Sequence, residues 1–153
     1  MKKIIVVLIV ALVVLTSASA FKFKSVGLEL GSRFISSAAA AECFVNVDME
    51  IIDNLDIYAG IGYAAGFAIS SGAEYKVTSF DVGGTPVAVR PGIQLDAFIS
   101  EGYAYYAAML ACSLSFETQS LGAFIRPSMG LLFASDYSAF NFDLQLGISY
   151  LFQ

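Results

Sequence analysis

Residues 140–152 read FNFDLQLGISYLF, and every even position in them is apolar: Phe140, Phe142, Leu144, Leu146, Ile148, Tyr150 and Phe152. The odd positions carry Asn141, Asp143, Gln145, Gly147 and Ser149, with Leu151 the one exception. Successive side chains of a strand point to opposite faces, so the segment has one oily face and one polar or small face. Half-buried strands of water-soluble sheets keep such alternation for about four to eight residues. Thirteen strand residues rising ~3.3 Å each and tilted by ~40° project onto roughly 30 Å, the thickness of a bilayer's hydrocarbon core. Pattern and length together predict a strand that crosses a membrane.

The rest of the chain agrees in character. It has 153 residues, enough for one domain, and is 58% hydrophobic with a mean hydropathy of +0.74. Yet no apolar run after residue 20 reaches the ~18 residues that a spanning helix needs. A very hydrophobic chain without hydrophobic helices has one ordinary way across a bilayer, a closed β-barrel whose backbone groups pair between strands. Residues 1–20 read separately: Lys2 and Lys3, an apolar core from Ile4 to Leu15, then Ala18-Ser19-Ala20. That is the layout of a cleaved secretory signal peptide, which leaves a barrel domain over 21–153. No Cys stands at the cleavage point to carry a lipid anchor. Cleavage leaves six basic against thirteen acidic residues, a net charge of −7 that argues against a nucleic-acid partner. Cys43 and Cys112 fall on the apolar parity of distant segments and read as small lipid-facing residues rather than a disulfide.

After Phe21 the pattern divides into eight alternating segments: 24–34, 41–52, 55–69, 74–82, 87–99, 103–116, 121–134 and 140–152. Asp53-Asn54, Ser70-Ser71-Gly72, Gly83-Gly84, Glu101-Gly102 and Ser135–Ser138 supply the turn residues between them. The fourth segment changes parity between Val77 and Phe80, as a bulge would make it do. Arg90-Pro91 and Arg126-Pro127 recur in the fifth and seventh segments, where a proline costs a ladder hydrogen bond and a bulge could accommodate it. The fold expected is all-β, an eight-stranded antiparallel up-and-down transmembrane β-barrel with both chain ends on the periplasmic side.

At this point the mature chain resembles the small eight-stranded outer-membrane β-barrels, the OmpA-like transmembrane domain and its OmpX-like relatives. Pattern carries the resemblance, above all the closing strand LQLGISYLF. Leu144, Leu146, Ile148, Tyr150 and Phe152 look like the C-terminal signal read by the barrel assembly machinery, which usually ends on its aromatic; here Gln153 follows Phe152. The resemblance implies export by a Sec-type route, insertion into the outer membrane of a diderm bacterium, and outer-membrane lipid as the surrounding partner. No peptidoglycan-binding domain follows the barrel, so that role does not carry over.

Little in the sequence points to chemistry. There is no histidine, which removes His-dependent triads, and no G-x-S-x-G. Two thiols without histidine are a poor metal site, and no cofactor is called for. Gly60-Ile-Gly62-Tyr-Ala-Ala-Gly66 has the wrong spacing for a phosphate loop and reads as small residues that leave lumen space. The informative set is the charges on the inward parity: Glu29, Arg33, Asp48, Glu50, Asp56, Arg90, Asp96, Arg126 and Asp143. In a narrow barrel they must be paired or hydrated. Arg33 and Asp143 are expected to meet across the closing seam. Phe34, Tyr75, Tyr103, Tyr137, Phe140 and Phe152 near strand ends suit interfacial aromatic girdles. The reading is a non-enzymatic membrane barrel with a structural or surface-interaction role, its lumen plugged by an ion-pair network. Two alternatives stand beside it. One is a small cation-preferring pore passing small solutes. The other is a soluble periplasmic lipocalin-like barrel holding a hydrophobic ligand, which needs the apolar face turned inward.

Overall fold

The computed structural model describes residues 22–36, 38–100 and 103–152. The signal peptide, the Glu101-Gly102 turn and Gln153 lie outside the described residues. Alternation produces strands throughout: β1 (Lys22–Ile35), β2 (Ala38–Ile52), β3 (Leu55–Ala64), β4 (Phe67–Tyr75), β5 (Thr78–Val82), β6 (Thr85–Ser100), β7 (Tyr103–Glu117), β8 (Leu121–Ala134) and β9 (Tyr137–Leu151). Neighbours in sequence pair antiparallel, and β9 returns to pair with β1 over Ser25–Ile35. β4 and β5 both pair with β6, one above the other, so they are two halves of a single wall strand. The result is a closed, up-and-down, eight-stranded barrel.

Its bore follows from the register. Paired residues lead from Ser25 through Asp48, Tyr58, Gly72, Gln94, Met109, Gly130 and Asn141 back to β1 at Ile35. The circuit closes ten residues away from its start. For eight strands this stagger gives a tilt of about 41° and a backbone radius of about 8 Å, a bore that side chains can fill.

The outer wall is apolar all round. On β9, Leu146, Ile148, Tyr150 and Phe152 are exposed while Asn141, Asp143 and Gln145 on the opposite parity are fully buried. Leu30, Val45, Ile61, Ile69, Ile93, Leu110 and Met129 repeat the same orientation around the barrel. A soluble ligand-binding barrel needs the reverse arrangement. Phe34, Tyr75, Tyr103, Tyr137, Phe140 and Phe152 all face outward, and Phe152 packs against Phe23 and Tyr150 with centroids 5.5 and 5.7 Å away. Cys43 and Cys112 are free, on β2 and β7, with Cys43 exposed on the outer face.

Two turns differ from the sequence expectation. The one expected over Ser135–Ser138 narrows to Ser135-Asp136, because β9 begins at Tyr137. Ser70-Ser71-Gly72 is not a turn but the middle of β4; the chain reverses at Ala65-Gly66, with Ala65 at a φ of 57°. The register explains the error. Tyr63 pairs with Phe67 and Ile61 with Ile69, so odd residues face odd residues and the outward parity runs unbroken through the turn. The expected segments 55–69 and 74–82 therefore become β3, β4 and β5.

The parity change foreseen in the fourth segment is a bulge. Glu74 pairs with Gly92 but Thr78 with Val89, which places one extra residue on the β4–β5 side, around Lys76-Val77. Pro91 sits opposite that break. Pro127 is accommodated differently: the β7–β8 ladder loses its rungs between Ala111↔Ser128 and Leu114↔Ile125 without any shift of register. A second bulge, between Phe23 and Ser25, turns Lys24 inward.

Candidate functional site

The candidate site is the lumen, because every buried charge of the described residues stands there. It is built in layers along the barrel axis, starting from the end that holds the chain termini. At that mouth, Lys24 on β1 reaches Asp56 on β3 at 2.7 Å and Glu117 on β7 at 2.8 Å. Arg90 on β6 bonds the same Asp56, approaches Glu117 at 3.4 Å and donates to the Ser115 hydroxyl at 3.1 Å. Two cations and two carboxylates from four strands thus form a ring across the bore.

The second layer is centred on Arg126 of β8. Its Nε donates to Glu74 at 2.6 Å, and its Nη1 donates to Glu29 at 3.0 Å and Gln145 at 3.3 Å. The guanidinium lies 4.1 Å from the Tyr58 ring and 4.4 Å from the Phe124 ring, both within cation–π range. Asn46 donates to Glu29, and the Ser113 hydroxyl to Glu74.

The third layer gathers on Arg33 of β1. Its Nη2 faces Glu42 at 3.0 Å, Asp143 at 3.1 Å and also Asp96, while Nε donates to Glu42 at 3.3 Å. Arg33 and Asp143 are direct cross-strand partners on the closing seam. Gln145 joins this layer to the previous one: its amide accepts from Arg126 and donates to Asp143. A charge-assisted network of this kind stabilises only when its members are satisfied, because an unpaired buried charge costs several kcal/mol. Among the described residues, Arg33 Nη1, Asn46 Oδ1, Tyr58 Oη, Ser70 Oγ, Gln94 Oε1, Asn141 Oδ1 and Asp143 Oδ1 are buried without a protein partner.

Beyond Arg33 the lumen turns apolar. Phe44, Ala64, Ala68, Phe98, Ala107, Met109 and Leu132 form a buried cluster, with Ile35 and Tyr105 packed against it. Phe98 stacks on Tyr105 at 5.2 Å and underlies the Arg33 guanidinium at the same distance. This cluster closes the end of the barrel opposite the termini. The sequence reading did not contain it, although Phe44 and Phe98 sit on the inward parity of their strands.

Of the nine lumen charges expected, Glu29, Arg33, Asp56, Arg90, Asp96, Arg126 and Asp143 belong to these layers. Asp48 is half-buried and accepts from the Ser25 hydroxyl. Glu50 lies at the mouth, paired in register with Lys22, and belongs to none of the layers. Four further charged members were not anticipated. Glu42 was legible from its even position on β2. Glu74 was hidden by the misplaced turn, Lys24 by the bulge, and Glu117 by a strand end drawn one residue short. Leu144, Leu146, Ile148, Tyr150 and Phe152 are on the outer face of β9. Among the described residues no cluster of acidic and thiol side chains is arranged to hold a metal ion directly.

A closed wall that is oily outside and charged inside is a membrane barrel, since in water the exposed outer residues would form one continuous apolar surface. No protein-family model and no curated protein matches the chain. Among solved structures it is similar to Neisserial surface protein A, at 11% identity and a TM-score of 0.48, over 88% of this chain and 98% of that one. It is also similar to the N-terminal β-barrel domain of OprF from Pseudomonas aeruginosa, at 14% identity and a TM-score of 0.49, over 84% and 97%. A third likeness is to Ail, the attachment invasion locus protein of Yersinia pestis, at 10% identity and a TM-score of 0.48, over 87% and 99%. The barrel described above rests on this chain's own pairing and register, and no residue role is transferred from these proteins.

Proposed function

We propose that this chain is a structural barrel of the outer membrane of a diderm bacterium, delivered by Sec-type export and closed to solute flow. The observation that carries the reading is the sequence of layers in the bore. Two buried guanidinium centres, Arg126 and Arg33, are followed by the apolar cluster around Phe44, Phe98 and Leu132. A hydrated ion passing that cluster would shed its water against side chains that offer no replacement ligands. The role is then that of an embedded body in the lipid rather than a conduit.

The turns support the structural side of this role over surface recognition. At the end opposite the termini, β1–β2, β3–β4, β6–β7 and β8–β9 are each separated by only two positions. Such turns offer little surface for an adhesive partner. The barrel assembly machinery, reading the outward face of β9, is the one partner that this proposal requires.

The test is single-channel recording of the refolded protein in planar bilayers beside Arg126→Ala and Phe98→Ala variants. A silent native protein, with openings in Phe98→Ala, is the expected result. Discrete cation-selective openings in the native protein would replace this proposal with the pore, for which the excess of lumen carboxylates over basic groups is the favouring feature.

A further inference from the structure

The bore leaves little space beside Arg126, a cavity of about 40 Å³ among the ion pairs already described. Larger depressions lie on the outer wall, where three of them join. The first, of about 460 Å³, is flanked by Ile93, Leu95, Leu110 and Met129. The second, of about 340 Å³, shares Leu95 and Ala108 with it. The third shares Ile69, Ala97 and Tyr106 with the second and ends at Phe67, Ile99 and Ala104. Together they make one trough from the middle of the wall to the rim opposite the termini.

The width of the trough follows from the pairing. Ala108 pairs with Leu95 and Ala97 with Tyr106, so in this square of outward positions the alanines share one diagonal and the large side chains the other. The alanines are the floor, and Leu95 and Tyr106, 51% and 57% exposed, are the banks. Diagonal neighbours stand ~7–8 Å apart. A carbon atom in contact with carbon on both sides, at ~3.5–4.0 Å each, needs that same width. An α-helix, ~10–12 Å across, cannot enter, nor can the broad wall of a second copy of this chain.

Length and charge agree with a chain-like occupant. From Leu110 to Ala104 the trough follows six residue steps of β7. At ~3.3 Å each and a tilt of about 41°, these project onto ~15 Å of the membrane normal. One leaflet is half of a hydrocarbon core of ~30 Å. Among the described residues no charged side chain faces the trough: Asp96, under its middle, points inward to Arg33. The Ser71 hydroxyl at its edge donates to the Leu95 carbonyl at 3.4 Å.

We infer that the trough holds one acyl chain of a lipid from the leaflet opposite the termini, retained while the rest of the surrounding lipid exchanges. The inference rests on the wall facing lipid and is independent of whether the lumen conducts. Escape from water supplies no drive here, because lipid tails are as apolar as Leu. Contact does. A chain in the trough meets protein on its floor and both banks, whereas on the even wall it meets protein on one side, and dispersion grows with the number of contacts.

The test is nuclear magnetic resonance of the methyl-labelled protein in dimyristoyl phosphatidylcholine nanodiscs, reading cross-relaxation from acyl-chain protons to alanine methyls. Ala41, exposed on the outward parity of β2 and four strands away around the barrel, is the control. The rate at Ala108 is expected to be about three times that at Ala41, as contact on three sides implies. Tyr106→Ala removes one bank and should bring Ala108 down to the level of Ala41. Leu95→Ala removes the other bank and should do the same, which keeps the test decisive if one variant does not fold. Equal rates at the two methyls overturn the inference, as does a ratio that survives loss of a bank. Cross-relaxation to Ala108 from a second, differently labelled copy of the chain would give the trough to a protein partner and overturn it as well.

Discussion

Replacing Arg126 by methionine removes the charge at the centre of the bore while keeping most of the volume, and its cost can be worked from the contacts. The guanidinium is 2% exposed and neutralises Glu29 and Glu74 at 3.0 and 2.6 Å. Breaking a buried ion pair on one side costs about 3–5 kcal/mol, since the partner is left charged and dry. Two stacked rings, Tyr58 and Phe124, add about 1 kcal/mol each at a desolvated site. Part of this returns as water enters the neighbouring cavity, so the expected loss is about 4–6 kcal/mol. The assay is urea unfolding of the barrel in micelles, followed by far-UV circular dichroism and by the gel mobility difference between folded and unfolded chain; there is no tryptophan to report. The Glu29→Gln, Glu74→Gln, Arg126→Met triple variant removes the stranded charges as well and should recover at least half of the loss. A single variant that loses under about 1 kcal/mol would refute the reasoning. So would a triple variant no more stable than the single one.

Four further outcomes are expected. Phe98→Ala and Leu132→Ala should each cost about 3–5 kcal/mol in the same titration, as deletions from a packed apolar cluster. Ala65→Gly should stabilise the barrel by about 1 kcal/mol, because Ala65 holds a φ of 57° in the β3–β4 turn; a loss of stability there would contradict the turn. Gly62→Ala should lower the refolded yield and the unfolding midpoint, since an added Cβ would fall on the Cys43 carbonyl group of β2. Gly83→Ala, with open space around it, should cost only the strain of its φ of 63°.

What could be seen in the sequence depended on whether the two-residue period survived local irregularity. The bounds and facing of β8 were legible from alternation alone; for β9 the facing was legible, but the strand starts at Tyr137, three residues before the expected 140. Where a turn preserves parity, as at Ala65-Gly66, periodicity carries no mark of the reversal. Gly66 is a turn residue by composition, but it read as one more small inward residue after Gly60 and Gly62, and a Ser-Ser-Gly run nearby pointed to the wrong place. Where a bulge changes parity, a side chain is re-aimed without any change in composition, which is why Lys24 looked like a strand end instead of a lumen cation. The apolar end of the bore was illegible for another reason. Inward alanines, phenylalanines and a leucine look like imperfections of a polar face until the register brings Phe44, Phe98 and Leu132 to one level. Pairing across the lumen is a property of stagger, and stagger is written in the turns.

The alternation that builds the wall has a consequence for the chain before it folds. An exported barrel must cross one bilayer completely in order to settle in another, and the machinery of the first retains segments of about 18 consecutive apolar residues. Interleaving each outward Leu, Ile or Phe with Asn, Asp, Gln, Gly or Ser holds the local hydrophobicity of an extended chain below that threshold. The oil is fully present but diluted by half, and only sheet closure concentrates it on one side. On the export route proposed above, the barrel strands offer the inner membrane no segment to retain.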